Sequence, residues 1–240
     1  MSPMNEKSPA VRSLLDRREF IRSAATGATI AVLGGGIYRF ADEVLNQEAQ
    51  AAPRADGRPR LPPGQRLLQA LKPMGGEPGH PSVSAYRLKV HGLVKEPFEL
   101  DFRTLLAAGA VDLALDVHCV TGWSVFDAQF RGVRIADLAS RAQVLPTAKH
   151  VILEAAHGYT ANVPLDVALA PQNLVAWQLG GKRLPEAHGA PVRAVIPDRY
   201  FWKSAKWLTG IRFVAVDEPG YWETRGYHNR ADPWREERYG

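Results

Sequence analysis

The chain has 240 residues, 45% hydrophobic and 23% charged, so it can bury a full core, and a disordered or collagen-like polymer is excluded. Thirty Lys and Arg against 25 Asp and Glu leave a formal charge of +5, which suits small anionic partners and is too mild to indicate nucleic acid. The single cysteine, Cys119, excludes an intramolecular disulfide and leaves any zinc site short of thiolates.

Residues 1–51 read as an export signal. Arg17-Arg18-Glu19-Phe20 precedes a weakly apolar, glycine-rich stretch from Ser23 to Tyr38, which Arg39 closes. That stretch is shorter than the about 20 apolar residues a membrane span needs. Ala49-Gln50-Ala51 then offers the small residues a signal peptidase reads. This order is that of a twin-arginine signal, a route used by proteins that fold, commonly around a cofactor, before export. The expected location is periplasmic or otherwise extracytoplasmic, with the signal either cleaved, after Ala51, or kept as an anchor.

From 52 to 81, Pro53, Pro59, Pro62, Pro63, Pro73, Pro78 and Pro81 alternate with glycines, which predicts an extended arm with a short helix over Gln65 to Leu71. Residues 82–240 read as one domain. Alternating apolar runs predict strands over Tyr86–Val94, Leu113–Cys119, Val151–Ala155, Leu174–Leu179, Pro191–Ile196 and Ile211–Val216. Helical spacing follows Asp101 (Phe102, Leu105, Leu106) and covers Ile135 to Ala142, each with an acid near its first turn. Strands and helices do not alternate regularly, and no G-x-G-x-x-G or P-loop occurs, so the expected class is β-rich α+β. The tail from Tyr221 to Tyr239 interleaves aromatics with arginines and reads as an extended segment packed on the domain.

Strand alternation over Leu113–Cys119 puts Leu113, Leu115, Val117 and Cys119 on one face and Asp116 and His118 on the other. Cys119 then ends an apolar face where the glycine-containing segment Val120-Thr121-Gly122-Trp123 begins. Three readings stay open for it: a buried inert thiol, a nucleophile assisted by a histidine, or a soft ligand to a metal.

Four ordered motifs are shared with a known family: Asp116-Val-His-Cys-Val-Thr-Gly-Trp-Ser124, His188-Gly-Ala-Pro-Val-Arg193, Lys203-Ser-Ala-Lys-Trp-Leu208 and Pro219-Gly-Tyr-Trp-Glu-Thr-Arg-Gly-Tyr-His228. They resemble the sulfite-oxidase-type molybdopterin domain, most closely its small bacterial members, over about Tyr86 to Tyr239. The resemblance implies a single molybdopterin-binding domain with Cys119 as the protein thiolate on molybdenum. His188, Arg193 and Lys203, with Lys206 in the same motif, take the positions that hold the cofactor, and guanidinium geometry suits its phosphate. Asp116, His118 and Trp123, as neighbours of the ligand, become candidates for substrate contacts. His80 and Tyr86 are candidates for the pterin-binding arm.

By the same resemblance the reaction is two-electron oxygen-atom transfer on a small sulfur compound, with sulfite oxidation first and sulfoxide reduction as the alternative. The arginines that follow the cysteine in animal and plant sulfite oxidases are replaced here by Val120-Thr-Gly-Trp-Ser124. No haem domain and no C-terminal dimerisation domain follow the core, so the expectation is a monomer passing electrons to a separate haem protein, a cytochrome c or a membrane cytochrome b. Outside this family, a metal-free cysteine hydrolase or a noncatalytic exported binding module would use the same residues.

Overall fold

The computed structural model describes residues 46, 47, 49, 53–79 and 82–240. The twin arginines, the apolar stretch 23–38, Ala51 and His80 lie outside these residues. Two residues ahead of the expected cut are tied to the domain: Asn46 Oδ1 accepts from the Leu67 N–H at 2.6 Å, and the Ala49 carbonyl accepts from the Leu61 N–H at 3.3 Å. Among the described residues no helix is long and apolar enough to cross a membrane.

Two sheets carry the fold. The first combines β1 (Arg66–Leu67), β4 (Val111–Cys119), β5 (Trp123–Arg134), β8 (Leu174–Leu179), β9 (Lys182–Arg183) and β10 (Arg193–Val195). The second runs in the order β3 (Phe98–Asp101), β2 (Arg87–Gly92), β11 (Leu208–Val214), β6 (His150–Ala155) and β7 (Thr160–Pro164). Three short helices, α1 (Phe102–Leu106), α2 (Ile135–Ala142) and α3 (Leu165–Ala168), interrupt the strands. The larger hydrophobic core joins β2, β6 and β11 to α1 and α2, through Leu88, Val90, Leu105, Leu138, Leu153 and Ile211. A second, smaller core gathers Leu115, Val117, Cys119, Trp123, Val125, Phe130 and Val195.

All six expected strands are present, and the chain is β-rich with few helices, as the composition of short alternating runs required. Asp101 caps α1 by accepting from the Thr104 N–H at 2.7 Å, and α2 matches its expected residues. The helix expected over Gln65 to Leu71 does not form. Arg66 and Leu67 instead make β1, pairing parallel with Trp123 and Ser124, and a segment this short between prolines and glycines cannot nucleate a helix without tertiary support. Two residues of the arm therefore add a short strand to the first sheet.

β5, the longest strand, was not visible in the pattern because its alternation is broken. Asp127 sits at φ 52°, and the pairing with β8 shifts between Arg131 and Gly132, where any side chain on Gly132 would strike the Val175 carbonyl. A similar shift between Leu115 and Val117 takes Asp116 out of the β4–β5 ladder. The tail packs on the domain as expected: the Trp234 indole N–H donates to the Pro59 carbonyl at 2.7 Å, and Arg238 donates to the Val120 carbonyl.

Candidate active site

Cys119 ends β4, and a three-residue connection, Val120 to Gly122, returns the chain into β5. Gly122 adopts φ +84°, and its N–H bonds the Cys119 carbonyl at 3.0 Å, so the left-handed residue that closes such a hairpin is the one without a Cβ. Register then sorts the neighbours. Cys119 lies opposite Trp123 and shares its face of the sheet, while His118 lies opposite Ser124 on the other face.

On the first face Cys119 is 5% exposed, and its Sγ stands 3.2 Å from the Thr121 hydroxyl. Trp123 is 4% exposed, and its buried indole N–H has no hydrogen-bond partner among the described residues. Leu68, Leu71 and Phe201 pack on this cluster. Tyr227 is close by, its hydroxyl pushed up by burial and by the neighbouring Tyr239 and Cys119. On the other face His118 bonds the Ser124 hydroxyl through Nδ1 at 2.8 Å and sets its ring against Trp234 at 5.0 Å. Burial drives its pKa down to about 4, so it is a neutral imidazole facing away from the sulfur.

A second cluster also touches Phe201. Arg193 is 2% exposed and donates to the carbonyls of Ser204 (2.8 Å), His188 (3.0 Å) and Ala194 (3.2 Å), with its guanidinium 4.1 Å from the centre of the Phe201 ring. Lys206 donates to the carbonyls of Gly75 and Ala187 and lies over Trp207. Burial lowers Arg193 to about 9; burial and the Arg193 charge lower Lys206 to about 8. Burial and both of those charges lower His188. The three meet around Gly189, at φ +106°, where a Cβ would lie 3.0 Å from Lys206 Cα and 3.1 Å from Arg193 Cβ. Among the described residues none of the three pairs with a carboxylate. Beside them is a cavity of about 430 Å³ lined by Pro73, Gly75, Gly76, Pro78, Glu186 and Ala187.

The remaining expected residues are elsewhere. Lys203, 1% exposed, gives its ammonium to Glu223 at 2.5 Å and to Asn162 at 2.7 Å, so it is a paired core charge. Asp116 takes a bidentate bond from Arg60, 2.7 Å to each oxygen, and fastens the arm. Tyr86 is buried in the larger core against Phe102. Sequence reasoning missed Thr121, Phe201 and Gly189, although each lies in or next to a recognised motif; Gln65, which donates to the Cys119 carbonyl at 3.2 Å, left no sequence signal.

A lone soft sulfur, two cations without a carboxylate partner and a histidine beside them form a donor set for an anionic group bearing its own metal ligands. Among the described residues no three His, Cys, Asp or Glu side chains gather into a metal site of protein atoms alone. The class this defines is an oxidoreductase built around an anionic metal cofactor. Residues 75–222 match the model of the oxidoreductase molybdopterin binding domain, and the chain belongs to that family, of the sulfite oxidase type. It is an enzyme whose cofactor is molybdenum carried by molybdopterin.

Among similar proteins, an uncharacterized oxidoreductase, YuiH of Bacillus subtilis (strain 168), is 42% identical over 188 residues, 78% of this chain and 95% of the relative. The protein-methionine-sulfoxide reductase catalytic subunit MsrP of Gluconobacter oxydans (strain 621H) is 31% identical over 171 residues, 62% of this chain and 54% of that one. The chain spans about half the length of such MsrP relatives. The crystal structure of the sulfane dehydrogenase SoxCD from Paracoccus pantotrophus superposes with a TM-score of 0.52 at 21% identity, over 56% of this chain and 39% of that one, a likeness of fold.

Proposed function

We propose that the protein transfers an oxygen atom to or from a small sulfur compound, with Cys119 as the protein ligand to molybdenum and His188, Arg193 and Lys206 as the cradle of the cofactor's anionic end. The observation that carries this reading is the unpaired Arg193. A buried cation held by carbonyl dipoles with no counter-charge is costly to fold around, and a phosphate is an anion that offsets that cost. When bound, the molybdenum supplies the two-electron exchange at which the oxygen is gained or lost. Cys119 holds the metal from the end of a rigid hairpin, and Thr121 donates its hydroxyl to the sulfur once that sulfur is a thiolate. Trp123 presents a buried N–H on the same face, where it holds a substrate oxygen. His118, neutral and turned away, positions β4 against the tail and moves no proton.

Sulfite oxidation is the first direction: sulfite and water give sulfate, two protons and two electrons, the electrons leaving to a separate haem protein. Sulfoxide reduction is the second reading, favoured by the 31% identity to the MsrP catalytic subunit. The site belongs to an extracytoplasmic, monomeric enzyme exported by the twin-arginine route. Elemental analysis of protein from cells that make molybdopterin tests the cofactor assignment, with near one molybdenum per chain expected. Reduction of cytochrome c by sulfite, against reoxidation of reduced viologen by a sulfoxide, then fixes the direction. Folded protein from those cells without the metal refutes the proposal.

A further inference from the structure

We infer that Arg66, delivered by the arm, binds the substrate's oxyanion beside Cys119, so that the site selects a sulfur oxyanion over a neutral sulfoxide. This rests on the molybdenum reading above and names the substrate class of that same site.

The placement follows from register. Arg66 pairs with Trp123 on one side of β5, and Cys119 pairs with Trp123 on the other. Paired residues share a sheet face, so Cys119, Trp123 and Arg66 form one row across three strands, about 10 Å from end to end at ordinary strand spacing. Period two confirms the facing, because Leu68, two residues beyond Arg66, packs in the cluster of Cys119. An extended arginine side chain is long enough to cover most of that separation.

The four arginines of the arm divide by their partners. Arg54 pairs with Asp56 and Asp198, Arg58 with Asp56, and Arg60 with Asp116 and Asp127. Arg66 is exposed, and among the described residues its guanidinium has no hydrogen bond, ion pair or ring contact. Its backbone is fixed all the same: the Arg66 N–H bonds the Gly122 carbonyl at 3.0 Å, and the Leu68 N–H bonds the Ser124 carbonyl at 2.8 Å. Arg238, the other guanidinium at this loop, is spent on the Val120 carbonyl and lies over Tyr200.

A second observation points to the same ligand. Between Arg66 and Cys119 in this row stands Trp123, whose buried indole N–H has no acceptor among the described residues and is free to donate to an oxygen-bearing ligand. A free guanidinium fork and an unpaired N–H on one face match the oxygens of sulfite or sulfate.

The test uses holoenzyme of wild type, R66Q and R66K, each assayed for molybdenum per chain. Sulfate binding is followed by calorimetry, and kcat/KM is measured for sulfite and for dimethyl sulfoxide. R66Q is expected to weaken sulfate at least tenfold, which is about 1.4 kcal/mol. Its kcat/KM for sulfite falls as far, chiefly through KM, and its preference for sulfite over dimethyl sulfoxide falls with it; R66K recovers part of each loss. Sulfate affinity and sulfite KM within twofold of wild type in R66Q would overturn the inference, as would equal losses for both substrates. Absence of molybdenum from the wild type would overturn the function proposed above, a separate failure, since calorimetry still reads whether Arg66 binds sulfate.

Discussion

Lys203 separates a structural charge from a cofactor ligand. Its ammonium and the Glu223 carboxylate are 1% and 2% exposed and 2.5 Å apart, and Glu223 takes one further bond, from the Trp202 indole N–H at 2.8 Å. Lys203→Met removes one partner of a buried pair, a change that costs about 3–5 kcal/mol because the other charge stays buried, and it also deprives the Asn162 oxygen of its donor. For a domain of this size each kcal/mol moves Tm by about 2–4 °C, so the loss is on the order of 10 °C. Replacing both partners by apolar residues, as in K203M/E223L, recovers most of it, because no unpaired charge remains. Urea and thermal unfolding of protein from cells unable to make molybdopterin measures the effect free of cofactor. A K203M protein with wild-type stability, and with its molybdenum lost when prepared from competent cells, would refute the ion-pair reading and return Lys203 to the cofactor.

Cys119→Ser abolishes turnover and lowers molybdenum per chain while leaving unfolding within about 1 kcal/mol of wild type, since the change is nearly isosteric; elemental analysis with circular dichroism checks it, and full activity would remove the central assignment. Gly189→Ala forces a Cβ against Lys206 and Arg193 at a left-handed φ, and the expected outcome is lower stability together with lower molybdenum content, read by urea midpoint and metal analysis. His118 gives a pH dependence. Its folded pKa, about 4, lies below an unfolded value of about 6.5, so between these values the unfolded chain binds the extra proton; stability is full above pH 6.5 and falls by about 3 kcal/mol as pH drops to 4. Urea curves at pH 7, 5.5 and 4 compared with His118→Gln isolate this contribution, and parallel declines in the two proteins would contradict it.

How much could be read from the chain follows from how local each determinant is. The span of β8, the Asp101 cap and α2 rest on residues close in sequence, and the pattern located all three. β5 escaped because two irregularities, at Asp127 and at Gly132, break a period-two signal that only long-range pairing restores. At the site, Cys119 stood out as the single cysteine, and two later motifs named His188, Arg193, Lys203 and Lys206. The ion pair of Lys203 was not legible there, because its partner Glu223 lies in another segment and no spacing rule joins them. Arg66 was invisible for the opposite reason: nothing in a proline-rich arm shows which of its arginines will be left without an acid.

On the function proposed above, the contrast between Lys203 and Arg193 also ties folding to the cofactor. Both are buried cations on the same stretch of chain, yet Lys203 is neutralised by protein and Arg193 only by carbonyl dipoles. Burial pulls the Arg193 pKa down to about 9, which is a statement that the folded state holds this charge at a cost. An anion seated against Arg193 and Lys206 returns that free energy, and because it binds the folded chain alone it stabilises by mass action. A protein assembled this way is expected to unfold at lower temperature without its cofactor than with it. The difference should shrink in Arg193→Met, where the buried charge and the reason for the anion disappear together.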